Sequence, residues 1–371
     1  MGNLFENSAI GGLELKNRFV RSATWEGMAD QDGNPTPKLL ETMTALAAGG
    51  VGLIITSHAF VSPEGRATPW QLAIDKDERI DGLRKMTDAV HAAGGRIAMQ
   101  LAHAGAFAAA ALSGMPRLVV SKAEGSDPSP QKEMEGRDIR AVIDAYAIAA
   151  GRAKAAGFDG LQIHSAHGYL LSQFLSPAFN RRGDKYGGDI SNRSRIHREI
   201  CHTIRDVVGK HFPLLIKING RDFIENGLTA DDAATAVRLM TAAGVDAVEL
   251  SGGTIVSGKL SPSRSRINAP EREAYFREEA QKLREAVNLP LILVGGNRSF
   301  EVADLLVADG TADYISMSRP FIREPGLIRR WQEGDLRKAE CISDNLCFAP
   351  ALEGRGVYCV TRERELQKKE A

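Results

Sequence analysis

Residues 160–180 read GLQIHSAHGYLLSQFLSPAFN, and this stretch joins a strand signal to an unusual set of polar side chains. The short apolar run Leu161-Gln162-Ile163 follows glycine and is typical of a buried strand. His164 and His167 come at its end, with Tyr169 just beyond. Two imidazoles and a phenol within one turn of chain suit binding a carbonyl oxygen and delivering a proton beside it.

Two other interpretations of this cluster stay open from these residues alone. Histidines three residues apart could ligate a metal, but no third His, Asp or Glu ligand follows nearby, and a catalytic zinc site needs three protein ligands. The histidines could also be buried structural residues, and Tyr169 a packed aromatic ring. We therefore expect no metal, and the position of the stretch in the fold decides between catalysis and packing.

The fold is indicated by a unit that recurs five times along the chain. In each unit a helical pattern ends in a small-residue tripeptide with glycine, and a β-rich apolar run follows within a few residues. Glycine just past a helix end is typical of a left-handed cap, and a continuous apolar run is typical of a buried parallel strand. The tripeptides are Ala47-Ala48-Gly49, Ala92-Ala93-Gly94, Ala155-Ala156-Gly157, Ala242-Ala243-Gly244 and Ala308-Asp309-Gly310.

Further apolar runs and helical patterns lie between these units and bring the total to eight strands that alternate with eight helices. This count predicts an α/β fold, a (β/α)8 TIM barrel. A doubly wound open sheet is the alternative, but the G-x-G-x-x-G fingerprint after a first strand is absent. We predict strands over Phe19–Thr24, Gly52–His58, Arg96–His103, Gly160–His167, Pro213–Asn219, Ala247–Gly252, Leu291–Gly296 and Tyr314–Arg319. Helical stretches include Arg79–Ala93, Arg195–Val208, Ala230–Ala243 and Arg272–Val287.

Three additions to the barrel are expected. Residues Gly2 to Asn17 read as an N-terminal hairpin that closes the barrel bottom. An insertion after strand 3, from Ala104 to Gly136, contains the run Ser126-Asp127-Pro128-Ser129-Pro130 and reads as a capping loop over the mouth. We assign residues 1–338 to the barrel and residues 339–371 to a short C-terminal extension that carries three of the four cysteines.

Composition excludes several classes of partner. The 371 residues are 43% hydrophobic and 25% charged, which is typical of a soluble globular protein. Forty-seven basic and 47 acidic residues cancel without a like-charge block, which argues against nucleic acid or an anionic membrane as a partner. We see no membrane-spanning segment, no signal peptide and no disulfide scaffold, so we expect a cytoplasmic protein that acts on a small molecule. A homo-oligomer stays open.

The chemistry of a barrel of this kind sits at the carboxyl-terminal ends of its strands, and these ends are rich in polar and glycine residues. The last two ends commonly bind a phosphate. Gly295 and Gly296 permit close backbone approach, and the guanidinium of Arg319 suits phosphate oxygens. A phosphorylated ligand is therefore predicted, with glycines that merely turn the chain as the alternative.

Six further motifs are spread over nearly the whole chain: Leu15-Lys16-Asn17-Arg18, Gly157-Phe158-Asp159-Gly160, His164-Ser165-Ala166-His167-Gly168-Tyr169, Asn180 through Tyr186-Gly187-Gly188, Asn192-Arg193 and Ser318-Arg319-Pro320-Phe321. Together they resemble the old yellow enzyme family of FMN-dependent NAD(P)H oxidoreductases. Lys217-Ile218-Asn219 and the C-terminal cysteines place the resemblance closest to the branch of dienoyl-CoA reductases and trimethylamine dehydrogenase.

The resemblance implies that FMN lies across the barrel mouth. Its phosphate would bind at Gly295, Gly296, Ser318 and Arg319. Its ring would meet Gln100, backbone near His58 and the strand edge of Ser22, Ala23 and Thr24, with the Thr24 side chain at the flavin O4. Lys217 would place a positive charge by the flavin N1 and C2 carbonyl and stabilise the reduced, anionic flavin.

The resemblance also implies a reaction. NADH or NADPH would reduce the flavin, and an enone or enal would then accept hydride at its C=C bond. His164 and His167 would bind the substrate oxygen, and Tyr169 would supply the proton. The alternatives are a demethylase or amine-type dehydrogenase on the same barrel, a flavin-free lyase or isomerase with Lys217 as its Schiff-base lysine, or a binding barrel without turnover.

The chain departs from the family pattern at two places. Cluster-bearing relatives carry four closely spaced cysteines after the barrel, whereas here Asp344 stands where one is expected. Iron–sulfur clusters are normally held by four thiolates, so we expect that Cys341, Cys347 and Cys359 hold no cluster. Because aspartate can substitute for cysteine, a cluster stays open as an alternative. Ser22 also replaces the proline usual at its strand end.

Overall fold

Strand pairing closes the sheet on itself. In the computed structural model, which describes residues 3–122 and 130–370, eight parallel strands form a barrel in the order β3-β4-β5-β8-β9-β10-β11-β12 and back to β3. This result confirms the TIM barrel and excludes the open doubly wound sheet. The strands are β1 (Ser8–Ile10), β2 (Leu13–Leu15), β3 (Phe19–Arg21), β4 (Leu53–Phe60), β5 (Ile97–Ala102), β6 (Arg117–Val119), β7 (Gln131–Glu133), β8 (Gly160–Ser165), β9 (Leu214–Asn219), β10 (Ala247–Ser251), β11 (Leu291–Leu293) and β12 (Tyr314–Met317).

Helices alternate with the barrel strands and bury one face against them. One predicted helix, Arg272–Val287, begins only at Arg277, because the Tyr275 amide donates instead to the Gly295 carbonyl at 3.0 Å. The helices are α1 (Pro37–Ala48), α2 (Ile80–Ala92), α3 (Ala110–Ser113), α4 (Gly136–Ala155), α5 (Leu170–Leu175), α6 (Ile190–Arg193), α7 (Arg195–Val208), α8 (Ala230–Ala242), α9 (Arg277–Ala286), α10 (Phe300–Ala308), α11 (Arg319–Arg323), α12 (Leu327–Gln332), α13 (Ala349–Leu352) and α14 (Val360–Glu370).

Four predicted strands are too long by two or three residues at their carboxyl ends. The chain leaves the ladder after Arg21, Ser165, Leu293 and Met317. Beyond these points the backbone turns: Gly295 and Gly296 have φ of +142° and +80°. The residues that follow these strand ends therefore lie at the mouth of the barrel instead of extending the sheet.

The recurring glycine caps are confirmed in four of the five units, with positive φ at Gly94, Gly157, Gly244 and Gly310. The assignment for the first unit was wrong by one residue. Gly49 has φ of −74°, and the left-handed residue is Gly50, with φ of +94°. Gly49 is needed for a different reason, since a Cβ there would lie 1.9 Å from a backbone carbonyl oxygen of the α11–α12 connection.

The predicted hairpin is present as the antiparallel pair β1–β2. Its buried residues Ile10 and Leu15 pack in one cluster with side chains from the barrel strands, among them Leu53 and Ala247. The Tyr314 hydroxyl also donates to a hairpin carbonyl at 3.0 Å. Because Leu53 and Ala247 begin their strands, the hairpin closes the amino-terminal end of the barrel, as predicted.

The insertion lies at the opposite end, beside the predicted site. It contains a 3-10 turn at Gly105–Phe107, α3, β6 and β7. A Cβ on Gly168 would lie 3.1 Å from the Phe107 ring, so the insertion packs directly on the loop after β8. Of the run Ser126-Asp127-Pro128-Ser129-Pro130, all but the last residue lie outside the described residues.

The C-terminal extension packs on the barrel near the last strands. The Ala339 amide donates to the Arg298 carbonyl at 2.8 Å, and the Arg266 amide donates to the Ser343 carbonyl at 3.1 Å. A domain boundary at residue 338 stays a prediction. Among the helices of residues 3–122 and 130–370, none combines the length and the apolar character needed to cross a lipid bilayer.

Candidate active site

The predicted triad comes together at the carboxyl end of β8. His164 is within the strand, and His167 follows in the left-handed region with φ of +64°. Such a φ is uncommon for a residue other than glycine and marks a tight local turn. The His164 ring centroid lies 5.2 Å from that of His167 and 5.0 Å from that of Tyr169. The sequence prediction that these three side chains form one cluster therefore agrees with their positions.

His58 from β4 joins this cluster through its side chain. Its Nε2 lies 3.3 Å from the Tyr169 hydroxyl, and the two ring centroids are 5.3 Å apart. From the sequence we expected only backbone near His58 to contribute, at the flavin edge. The structure instead places the imidazole where it orients the Tyr169 phenol.

Hydrogen bonds fix the second histidine but leave the first one open. The Nε2 atom of His167 lies 2.8 Å from the Ser251 hydroxyl, and its backbone amide donates to the Asn219 side chain at 3.1 Å. The Nδ1 atom of His164 is buried and has no hydrogen-bond partner among the described residues. A buried polar atom without a partner is costly, and a ligand oxygen would satisfy it.

Burial sets the charge of these groups. It lowers the pKa of His164 and of His167 well below the usual value, and neighbouring positive groups, Lys217 among them, add to the effect. Burial also lowers the pKa of His58 to about 4 and raises the pKa of Tyr169. At neutral pH the imidazoles are therefore uncharged, each with one N–H to donate, and the phenol keeps its proton.

A cavity opens beside the cluster at the mouth of the barrel. Of the three predicted catalytic residues, His167 lines it, whereas His164 and Tyr169 lie outside its lining. The predicted cofactor residues His58, Gln100 and Gly295 lie outside this lining; the Gln100 amide instead donates to Gln162 at 2.7 Å. Seven predicted cofactor residues do line the cavity: Ser22, Ala23, Thr24, Lys217, Gly296, Ser318 and Arg319.

One end of the cavity suits a phosphate. Gly296 has φ of +80°, and a Cβ there would lie 2.7 Å from the Tyr275 ring, so only glycine leaves this end open. The Arg319 guanidinium lies at the same end and donates to the Asn345 side chain at 2.6 Å. A cation beside exposed backbone fits a bound phosphate group.

The other end is cationic and suits a polar planar ring. Lys217 and Thr24 line this part of the cavity, and Lys217 is 2% exposed. The Thr24 hydroxyl lies 2.6 Å from that of Ser318, which connects this part of the cavity to the phosphate end. A ring with carbonyl oxygens finds a charged donor and hydroxyl groups there. The donor set of the cavity therefore fits FMN, with its phosphate at Gly296 and its ring toward Lys217.

Three residues of this site were missed from the sequence. Glu249, in the middle of β10, accepts a hydrogen bond from Lys217 at 3.2 Å. Its signal was a lone carboxylate inside an otherwise apolar run. Tyr275 and Asn345 come from a long loop and from the extension, and no local pattern marks them as neighbours of the cavity.

The cysteine-bearing segment offers three thiols and no fourth thiolate. Cys341 and Cys347 are buried and Cys359 is half-buried. The Asp344 carboxylate is occupied by the Thr361 hydroxyl at 2.5 Å. Within the described residues, no group of three or more His, Cys, Asp or Glu is placed to hold a metal ion. The donor set of this segment does not fit an iron–sulfur cluster.

Comparison with known proteins agrees with this geometry. Residues 3–337 match the NADH:flavin oxidoreductase / NADH oxidase family. The NADH oxidase of Thermoanaerobacter brockii is 34% identical over 99% of this chain, and the chain spans only 59% of that relative's length. The NADPH dehydrogenase of Halalkalibacterium halodurans is 35% identical over 87% of this chain and 91% of its own length.

The fold is similar to that of a solved relative. The structure of an old yellow enzyme homologue from Zymomonas mobilis superimposes with a TM-score of 0.78 at 26% identity. The aligned region covers 97% of this chain and 98% of that one. Together with the match over nearly the whole barrel, these findings show that the chain belongs to the NADH:flavin oxidoreductase / NADH oxidase family, the FMN-dependent oxidoreductases that include old yellow enzyme.

Proposed function

We propose that this protein uses FMN and NADH or NADPH to reduce the C=C bond of α,β-unsaturated carbonyl compounds. The observation that carries the proposal is the cluster of His164, His167 and Tyr169, with ring centroids 5.0 and 5.2 Å apart. Two neutral N–H donors and a protonated phenol in one cluster, of which His167 lines the cavity, suit an enone or enal. When bound, FMN would supply the chemistry of hydride transfer between the nicotinamide and the substrate.

Several residues of the chain hold the cofactor in this proposal. Gly296, Ser318 and Arg319, which line one cavity, would bind the phosphate through backbone amides and the guanidinium. Lys217 would hold the pyrimidine end of the ring, and Thr24 would meet its edge. Membership of a flavin-dependent family removes the basis for a flavin-free lyase, and the Lys217 ammonium is already bonded to Ser22 and Glu249 rather than free for a Schiff base.

His164 and His167 bind and polarise the substrate carbonyl. Because burial keeps both rings uncharged, they donate hydrogen bonds without losing a proton to the substrate. Negative charge develops on the carbonyl oxygen as hydride reaches the β-carbon, and donors fixed in advance stabilise that charge. The Ser251 hydroxyl holds the His167 ring in place at 2.8 Å.

Tyr169 supplies the proton to the α-carbon. Burial raises the pKa of its phenol, so the proton is present throughout the neutral range. His58 Nε2, 3.3 Å from the hydroxyl, orients the phenol.

Replacement of Tyr169 by Phe tests the proposal. We expect the enone-dependent reoxidation step to slow by about 10²–10⁴-fold, because general acid catalysis is lost. Reduction of the flavin by NADPH should stay within about twofold, since the ring remains and only the hydroxyl is removed. Stopped-flow absorbance measures the two steps separately.

Replacement of Tyr186 by Phe is the matched control. Tyr186 also has a hydroxyl, which donates to Glu199 at 2.9 Å on the outer helices, away from the cavity. Both half-reactions of that variant should match those of the unmodified protein. Equal slowing of both steps in the Tyr169 variant would refute its role as the proton donor.

A further inference from the structure

A carboxylate lies at the centre of the barrel with no exposed surface. Glu249 in β10 is 0% exposed and is not part of the cavity lining. A buried carboxylate is tolerated only when it is paired and hydrogen-bonded. Glu249 meets both conditions through four donors, with Oε1 accepting from Ser22 Oγ at 2.7 Å, Ser316 Oγ at 2.8 Å and Lys217 Nζ at 3.2 Å, and Oε2 accepting from Gln162 Nε2 at 2.8 Å.

Lys217 joins this carboxylate to the cavity. Strand register places Lys217 of β9 directly beside Glu249 of β10. The ammonium donates to the Ser22 hydroxyl at 2.7 Å as well as to Glu249, which accounts for two of its three N–H groups. Because Lys217 lines the cavity and Glu249 does not, the ammonium has the carboxylate on one side and the ligand space on the other.

The network has only one consistent direction. The Ser22 hydroxyl accepts from Lys217, so its single hydrogen is available to Glu249. Gln100 donates to the Gln162 carbonyl oxygen at 2.7 Å, and the Gln162 amide donates in turn to Glu249. All four groups in contact with the carboxylate therefore donate to it, which fixes Glu249 as the negative partner.

The pKa directions agree with this assignment. Burial acts to raise the pKa of Glu249, but the Lys217 ammonium and the surrounding donors outweigh it and hold that pKa below the usual value. Burial lowers the pKa of Lys217, and Glu249 opposes this shift. The two groups thus form a mutually dependent ion pair beneath the cavity.

We propose that Glu249 is a positioning residue that holds Lys217 at the cavity floor and offsets its charge, so that the cofactor meets a paired cation rather than a free one. Charge near the pyrimidine end of a flavin tunes its electronics. A free cation there would favour the reduced, negatively charged flavin more strongly. The pair therefore keeps the reduction potential lower than Lys217 alone would. This inference rests on the proposed function, because it requires FMN at this site.

Two substitutions of opposite electrostatic sign test the inference. Glu249→Gln removes the offsetting charge, and Lys217→Met leaves the carboxylate alone. We expect the first to raise the flavin midpoint potential and the second to lower it. Each should change the equilibrium with a reference dye by at least tenfold, which is about 30 mV for a two-electron couple. The combined variant should return toward the potential of the unmodified protein.

Ser316→Ala is the matched control. It removes a neutral donor to the same carboxylate oxygen, 2.8 Å away, without changing any charge. The equilibrium constant between its flavin and the reference dye should lie within twofold of that of the unmodified protein. If Glu249→Gln alone does not fold, the combined variant is compared with Lys217→Met, from which it differs only at residue 249. The combined variant is expected to fold because it replaces both charges by neutral groups of similar size.

The outcomes separate this inference from the function on which it rests. If the purified protein binds no FMN, the proposed function fails and this inference fails with it. If FMN binds stoichiometrically but Glu249→Gln leaves the potential unchanged, only the inference is overturned. Shifts of the same sign in both single variants would indicate general damage to the site and would also overturn it.

Discussion

Replacement of Lys217 by Met should destabilise the protein even without cofactor, because it leaves a buried carboxylate without its counter-charge. Glu249 is 0% exposed and would keep three neutral donors, Ser22, Ser316 and Gln162. Removing one partner of a buried ion pair typically costs about 3–5 kcal/mol. We therefore expect the free energy of unfolding at pH 7 to fall by about 3–5 kcal/mol.

The pH dependence of this loss gives a second, independent test. In the unmodified protein the pKa of Glu249 is held below its usual value, so its stabilising contribution is lost as pH falls through that region. Without Lys217, burial raises the pKa of Glu249 above the unfolded value, and the variant gains relative stability as the carboxylate takes up a proton. The difference between the two proteins should shrink from pH 7 to pH 5.

Urea unfolding of the apo-proteins, followed by circular dichroism, measures both quantities. The variant that combines Lys217→Met with Glu249→Gln should recover most of the lost stability, because no uncompensated charge remains. If the free energy of unfolding of the single variant falls by less than about 1 kcal/mol, the pair is no stronger than an exposed ion pair and the prediction is wrong. A combined variant that is as unstable as the single variant would also contradict the prediction.

Two further predictions concern the phosphate end of the cavity and the buried histidines. Gly296→Ala should lower FMN affinity at least tenfold, because its Cβ would meet the Tyr275 ring at 2.7 Å, whereas Gly310→Ala, with a similar φ of +75° but open space, should not. Fluorescence titration of the apo-proteins with FMN checks this, and equal losses would contradict it. Burial lowers the pKa of His58 to about 4 and that of His197 to about 3. As pH falls, these histidines take up protons in the unfolded chain before they do so in the folded protein. The free energy of unfolding should therefore fall as pH drops below about 6.5. Each histidine should lower the free energy of unfolding by about 2 kcal/mol at pH 5 relative to pH 7. A free energy from urea unfolding that stays constant from pH 7 to pH 5 would contradict this.

The barrel could be predicted from the sequence because its signals are local. A helix cap with glycine and a short apolar run recur at each unit, and both depend on neighbouring residues alone. The misassigned cap at Gly49 shows the limit of this reasoning. That glycine is required by a close backbone contact from the α11–α12 connection, which no local pattern reveals.

The cluster of His164, His167 and Tyr169 could also be predicted, because all three lie within one turn after a single strand. Other parts of the site depend on residues far apart in the chain. The contact between His58 and Tyr169 joins β4 to the loop after β8, and the two residues are 111 positions apart. Such contacts follow from the closure of the barrel and from side-chain direction, which sequence spacing does not give.

The layer beneath the mouth was missed for a different physical reason. The residues that line the cavity lie at strand ends, where the sequence predicts functional side chains. Glu249 and Gln162 lie within their strands and point into the barrel one layer below the cavity. Layers of inward side chains fill the interior of such barrels and are usually apolar. A lone carboxylate in an apolar strand is the one sequence signal that marks this layer as a charge network.

The most direct test of the central claim is an anaerobic absorbance spectrum of the purified protein, recorded first alone, then with NADPH or NADH, and then with cyclohexenone. We expect flavin bands that bleach with the nicotinamide and return when the enone is added. Bleaching that the enone does not reverse would contradict reduction of a C=C bond while keeping the flavin. A spectrum without flavin bands, even after FMN is added, would contradict both FMN binding and the proposed reaction.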